Sequence, residues 1–142
     1  MDGISAEFVD FSRDGQWVTY VSYPEGTLWR SRVDGGTQRL QLTFPPLRAA
    51  VPKWSPDGRQ IAFYDVGGAA RLYLIAASGG EPKPASPHGR GEMRPSWSRD
   101  GAELMYSDFP FFSAPSGDQL GRISPPPCGE AGFGSPPEAA IR

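Results

Sequence analysis

The chain has few of the side chains that carry most enzymatic chemistry. Its 142 residues include one cysteine, Cys128, and one histidine, His88. A single cysteine excludes an intrachain disulfide and any multi-cysteine metal site, and it leaves the compartment open. Asparagine is absent and lysine occurs only at Lys53 and Lys83, while arginine is common. That bias reads as the codon usage of a GC-rich bacterial gene rather than as function. With a formal net charge of −2, the chain offers no concentrated basic patch, so nucleic acid is not an expected partner. No apolar run approaches the 18 residues of a membrane-spanning helix. The opening Met1-Asp2-Gly3-Ile4-Ser5 lacks the basic and apolar regions of a secretory signal. As written, the product is expected to be soluble and cytoplasmic; an incomplete N-terminus would allow the periplasm.

Glycine and proline, by contrast, are abundant, at 18 and 16 residues, as turn-rich β structure requires. One ten-residue phrase occurs three times. It reads Phe11-Ser12-Arg13-Asp14-Gly15-Gln16-Trp17-Val18-Thr19-Tyr20, then Trp54-Ser55-Pro56-Asp57-Gly58-Arg59-Gln60-Ile61-Ala62-Phe63. The third copy is Trp97-Ser98-Arg99-Asp100-Gly101-Ala102-Glu103-Leu104-Met105-Tyr106, and the leading aromatics recur every 43 residues. A fixed period of about 40–45 residues in a β-rich chain marks propeller blades.

Each copy reads as a blade of four antiparallel strands. The first strand runs into the aromatic: Phe8 to Phe11, Val51 to Trp54, Arg94 to Trp97. Pro52 and Pro95 lack a backbone donor and are expected at a strand start. Ser55-Pro56-Asp57-Gly58 is type I turn chemistry, with Gly58 taking positive φ in a bulge. The second strands are apolar on both faces, as when neighbouring blades cover both sides. Third strands begin at Leu28-Trp29 and Leu72-Tyr73 and end in Gly35-Gly36 and Gly79-Gly80 turns. The fourth strand of copy two, with Pro82 and Pro84, fits only an outer edge. Blades are therefore placed near 4–44, 47–87 and 90–108, as a partial propeller over 1–108. The Pro/Gly-rich stretch 109–142 is expected to be a disordered tail, with Gln119 to Ile123 its one weak strand candidate.

The blade wording resembles the Tol-B-like, WD-repeat-like propeller family. Pro52-Lys53-Trp54-Ser55-Pro56-Asp57-Gly58-Arg59-Gln60-Ile61-Ala62-Phe63, followed by Leu72-Tyr73 and Gly79-Gly80, carries that resemblance, which covers residues 4 to about 108. It implies an incomplete all-β propeller. It also implies a role as an interaction module of envelope proteins, as a non-catalytic domain beside a serine peptidase, or as the C-terminal sensor-like domain of a bacterial winged-helix regulator or kinase. The stretch from Tyr20 to Pro46 looks most like the last group. One fold hosts many functions, so none of these follows from the repeat alone.

Candidate sites are few. Asp14, Asp57 and Asp100, with Gly15, Gly58 and Gly101, read as structural turns whose aspartates bond locally; one per blade, they lie too far apart to share an ion. His88 has no nucleophile elbow beside it. Cys128 falls in the expected tail, away from the electropositive setting that activates a thiol. Asp65 and Asp108 read as strand-end polar residues, and Gly67-Gly68 as a turn. The tryptophans and most tyrosines are expected in the core, while Tyr23 in the loop Tyr23-Pro24-Glu25-Gly26 can meet a partner. No catalytic residue, cofactor or metal is expected, and neither is a membrane. The resulting expectation is a non-catalytic module for protein or peptide interaction or sensing. The alternatives are a peptidase accessory domain, or a truncated product with no function of its own. Uncovered end blades also point to self-association.

Overall fold

The computed structural model describes residues 5–68, 70–86, 92–108 and 119–126. Among these the fold is all-β, with eleven strands in three antiparallel sheets and no helix. Blade 1 holds β1 (Ala6–Phe11), β2 (Trp17–Ser22), β3 (Leu28–Arg32) and β4 (Arg39–Gln41) in sequential order. Blade 2 repeats that order with β5 (Ala49–Trp54), β6 (Gln60–Asp65), β7 (Arg71–Ala76) and β8 (Lys83–Pro84). Blade 3 holds β9 (Glu92–Trp97), β10 (Leu104–Asp108) and β11 (Gln119–Ile123). The leading strands stand side by side, β1 against β5 and β5 against β9. Each sheet therefore grows outward from a shared inner edge, as propeller blades do.

The prolines sit elsewhere than expected. Pro52 and Pro95 lie inside β5 and β9, not at their starts. Each follows a residue with positive φ, Val51 at 45° and Arg94 at 55°, and Phe8 at 52° takes the same place in β1. Strand pairing slips at these points, between Ala50 and Lys53 and between Met93 and Ser96. A bulge leaves one residue unpaired, so a proline there forfeits no ladder bond. The short β8 lies at the outer edge of its sheet, as its prolines require.

Blade 3 also runs past the expected boundary at residue 108, because β11 pairs with β10 in register Leu104 with Ile123 through Asp108 with Gln119. One glycine makes this possible. Opposite Tyr106 stands Gly121, and a Cβ there would fall inside the Tyr106 ring. An Arg122–Glu103 ion pair at 3.3 Å and a bond from Gln60 Nε2 to the Pro126 carbonyl (2.9 Å) hold the segment on.

Two cores separate the three sheets. Val21, Leu28 and Leu42 of blade 1 meet Trp54, Ile61, Phe63 and Ile75 of blade 2. Ala62 and Leu72, on the other face of blade 2, meet Leu104 of blade 3. Both faces of β6 are thus covered, which accounts for its continuous apolar run. Of the tryptophans only Trp54 is buried; Trp17, Trp29 and Trp97 are half-buried. Trp17 lies beneath the guanidinium groups of Arg30 and Arg32, and Trp29 beneath that of Arg39. Such stacking suits a ring held partly in water.

Polar contacts also join neighbouring blades. Asp10 Oδ2 accepts the Trp54 amide (2.9 Å), and its Oδ1 meets Lys53 Nζ at 3.3 Å. One blade on, the Trp97 indole N–H donates to the Lys53 carbonyl (3.1 Å). A further repeated device lies at the third strands: Thr43 Oγ1 accepts the Leu28 amide (2.8 Å), and Ser86 Oγ accepts the Leu72 amide (3.2 Å). Both hydroxyls are buried. They meet backbone donors that would otherwise be costly to bury.

Candidate functional site

The repeated Ser-x-Asp-Gly phrase forms the same corner in every blade. The amides of Gly15, Gly58 and Gly101 donate to the carbonyls of Ser12, Ser55 and Ser98, each at 2.9 Å. The three glycines have φ of 69°, 71° and 73°, the left-handed region that β-carbon-bearing residues disfavour. Each serine hydroxyl donates to its own aspartate at 2.6 Å, Ser12 to Asp14, Ser55 to Asp57 and Ser98 to Asp100. The same aspartate oxygens accept the amides of Gln16, Arg59 and Ala102 at 3.0 Å. The serine oxygens in turn accept the amides of Trp17, Gln60 and Glu103.

These bonds favour the carboxylate form. The Ser12 hydroxyl and the Gln16 amide hold Asp14 below the ordinary carboxylate range, and the Ser98 hydroxyl and the Ala102 amide do the same for Asp100. Partial burial pushes Asp57 upward, but the Ser55 hydroxyl, the Arg59 amide and the Arg59 charge together outweigh it, and its carboxyl also falls below that range. The sign of the pH dependence follows. A carboxyl lowered on folding stabilises the fold above its unfolded pKa, and that stabilisation is lost as the pH falls through the folded value. The urea midpoint should therefore hold steady from pH 7 to about pH 5 and fall below about pH 4. In Ser55→Ala, the Asp57 carboxyl should titrate at higher pH by carboxyl-carbon NMR; an unmoved titration would contradict the assigned cause.

The other sequence candidates fall in different places. Asp65 closes β6, and its Oδ1 accepts the amides of Gly67 (2.9 Å) and Arg48 (2.9 Å). It is a strand-end anchor, with a second role in holding the next connection. Asp108 ends β10, and its side chain lies outside the described residues, as do His88 and Cys128. Among the described residues no group of three His, Cys, Asp or Glu side chains is placed to hold a metal ion, and no helix is long and apolar enough to cross a membrane.

What the structure does gather is a rim of loops. Strand directions alternate, so the β2–β3, β4–β5 and β6–β7 connections all lie along one edge of the blades. Each presents a large apolar side chain to solvent: Tyr23 is 57% exposed, Phe44 61% and Val66 51%. Arg48 ties the three connections together. Its guanidinium donates to the Pro24 carbonyl (3.3 Å), its amide donates to Asp65, and its carbonyl accepts the Val66 amide (2.8 Å). The Ala49 amide donates to the Gly26 carbonyl (2.8 Å). Gly26 has φ of 73°, and a Cβ there would stand 3.3 Å from the Arg48 side chain. Glycine is thus needed both for the turn and for the close approach.

Tyr23 was a partner candidate from sequence; Phe44, Arg48 and Val66 were not. The signal for Phe44 was present. It precedes Pro45-Pro46, which cannot donate to a ladder, so an aromatic at that point belongs to a loop. Nothing local marks Arg48 or Val66, whose placement depends on the docking of blade 1 against blade 2.

Comparison with known proteins supports this architecture. No family model matches the chain. The uncharacterized peptidase YuxL of Bacillus subtilis (strain 168) is 40% identical over 106 residues, covering 73% of this chain and 15% of that protein. TolB from Acinetobacter baumannii superposes with a TM-score of 0.65 at 19% identity, over 87% of this chain and 31% of TolB. The β-propeller domain of the Trilobed protease from Pyrococcus furiosus, described as having an open velcro topology, gives 0.57 at 16% identity, over 75% of this chain and 35% of that chain. The chain thus has a TolB-like β-propeller fold and spans a minor part of each protein it matches.

Proposed function

We propose that this chain is a non-catalytic β-propeller module that binds or senses a protein or peptide at the rim carrying Tyr23, Phe44 and Val66. The observation that supports it is the rim itself. Three separate connections each spend a large apolar side chain on solvent, while hydrogen bonds through Arg48, Asp65 and Gly26 fix the backbone beneath them. Loops held this way on a rigid scaffold are where binding residues concentrate. Aromatic anchors of this kind dominate binding energy when a partner covers them. The repeated aspartates, by contrast, are already engaged by their own turns.

The test is peptide display against the folded chain, followed by affinity measurement of the selected peptides. The double variant Tyr23→Ser/Phe44→Ser should weaken binding by about 30-fold or more, the loss of a hot spot. Peptides that bind the variant equally well would remove the rim from consideration. A second reading, the accessory propeller of a serine peptidase, is favoured by the similarity to YuxL. It calls for a hydrolase partner domain, and a fluorophosphonate probe would then label that domain and leave this chain unlabelled.

A further inference from the structure

One charge on the loop rim has no partner of opposite sign. Arg48 is exposed, and its Nη2 donates to the neutral Pro24 carbonyl at 3.3 Å. Among the described residues the paired cations are Arg32, Lys53 and Arg122. Asp65 meets the backbone amide of Arg48 rather than its guanidinium, and Glu25, beside Pro24, forms no ion pair with it. Exposed arginines are ordinary, and most are simply hydrated. This one differs in being held. A Cβ on Gly26 would stand 3.3 Å from the Arg48 Cβ and 3.3 Å from its Nε, and a Cβ on Gly67 would stand 3.3 Å from its Cγ. The two glycines belong to turns of different blades, β2–β3 and β6–β7. The arginine stem therefore runs in a slot that a side chain at either position would narrow. A long side chain normally loses rotamer freedom when it binds; here much of that freedom is already gone in the folded chain, which favours affinity.

Around this fixed cation stand the exposed apolar side chains of the rim, Tyr23, Phe44 and Val66. Their backbones are fixed as well. The Tyr23 amide donates to the Ser5 carbonyl (2.9 Å), and the Leu47 amide closes a turn on the Phe44 carbonyl (3.2 Å). The Val66 amide is held by Arg48 itself. A guanidinium fork matches the two oxygens of a carboxylate. Apolar residues laid over the rim would exclude water from such a pair, and a charge-assisted bond is stronger where water is excluded. The β4–β5 connection that carries Arg48 runs from blade 1 to blade 2, so apolar side chains lie to both sides of it. An internal acidic residue has chain on both sides and can set apolar neighbours against each. A terminal carboxylate has chain on one side only.

We propose that the rim reads an acidic–apolar peptide segment. Arg48 pairs with the carboxylate of an internal aspartate or glutamate, and Tyr23, Phe44 and Val66 cover the large apolar residues that flank it. The inference rests on the rim being the binding surface and adds the chemical class of its partner. The apolar contacts supply affinity, and the arginine supplies selectivity for the acid over its uncharged amide.

Selection of a random displayed peptide library on the full chain tests it. Enriched sequences should carry an acid between large apolar residues. The tightest of these peptides is then remade with asparagine or glutamine in place of its acid. Both forms are titrated against the wild-type chain and against Arg48→Gln, which keeps a donor for the Pro24 carbonyl and drops the charge. The wild-type chain should bind the amide form about tenfold more weakly. Arg48→Gln should bind the two forms within about twofold of each other. Added salt should weaken binding of the acidic form to the wild-type chain and leave the amide form nearly level. If circular dichroism shows that Arg48→Gln loses its fold, the peptide replacement and the salt series on the wild-type chain decide. Rim-dependent peptides that lack an acid, equal affinity for the two forms, an acid preference that persists in Arg48→Gln, or enrichment of basic peptides drawn to Glu25 and Asp65 would each overturn the inference and leave the rim as a binding surface. Peptides that bind Tyr23→Ser/Phe44→Ser as tightly as the wild-type chain would remove the rim itself.

Discussion

Replacing Phe63 with alanine should destabilise the chain by about 3–5 kcal/mol, the usual cost of removing a buried aromatic ring. Phe63 is fully buried and stacks on Tyr73 with ring centroids 5.7 Å apart. Around it lie Val21, Leu28 and Leu42 from one blade and Ile61 and Ile75 from its own. Deleting the ring leaves a void that two sheets share, and neither can collapse into it without breaking strand register. A small domain has only about 5–15 kcal/mol in total, so a urea titration followed by tryptophan fluorescence should show a midpoint shifted by a large fraction of its value. A loss under about 1 kcal/mol would mean that blades 1 and 2 do not pack as described.

Leu104→Ala should cost about 2–5 kcal/mol by the same reasoning, but its effect should be confined. Leu104 is fully buried against Ala62 and Leu72 in the second, smaller core. In a repeat array each unit adds its own stability and that of its nearest interface. Amide hydrogen exchange should therefore quicken in β9, β10 and β11 while β1 to β7 keep their protection. Equal loss of protection in all three sheets would show instead that the array unfolds as one unit. Comparing the two variants separates a central interface from a terminal one.

Most of the blade pattern was legible in the residues themselves. The 43-residue period and the Ser-x-Asp-Gly corner depend on local backbone preference, which sequence reports directly. The continuous apolar run of β6 foretold cover on both faces for the same reason. What is not legible there depends on contacts between segments distant in sequence. Pro52 and Pro95 read as strand starts because a bulge is visible only once the partner strand is in place. β11 was a weak candidate because its place rests on Gly121 lying against Tyr106, a fit between residues that no periodicity announces. The Thr43 and Ser86 hydroxyls keep the 43-residue period, yet they pass for ordinary strand-end residues until their buried donors are seen. Tyr23 was legible as an exposed loop aromatic. Its association with Phe44 and Val66 was not, since Arg48 draws those loops together only after blade 1 meets blade 2.

The corner built from serine, aspartate and glycine has one further consequence. All of its bonds close within a few residues, from Ser12 to Trp17, Ser55 to Gln60 and Ser98 to Glu103. The carboxylate is balanced where it stands and asks nothing of adjoining sheets. Such a corner is a portable part: its geometry is fully written in a short stretch of chain, whatever lies to either side. The joints between blades are not portable in this sense, because Asp10, Lys53 and Trp97 each engage a different partner across them. In this molecule the corners are interchangeable, and the individuality of each blade resides in its joints.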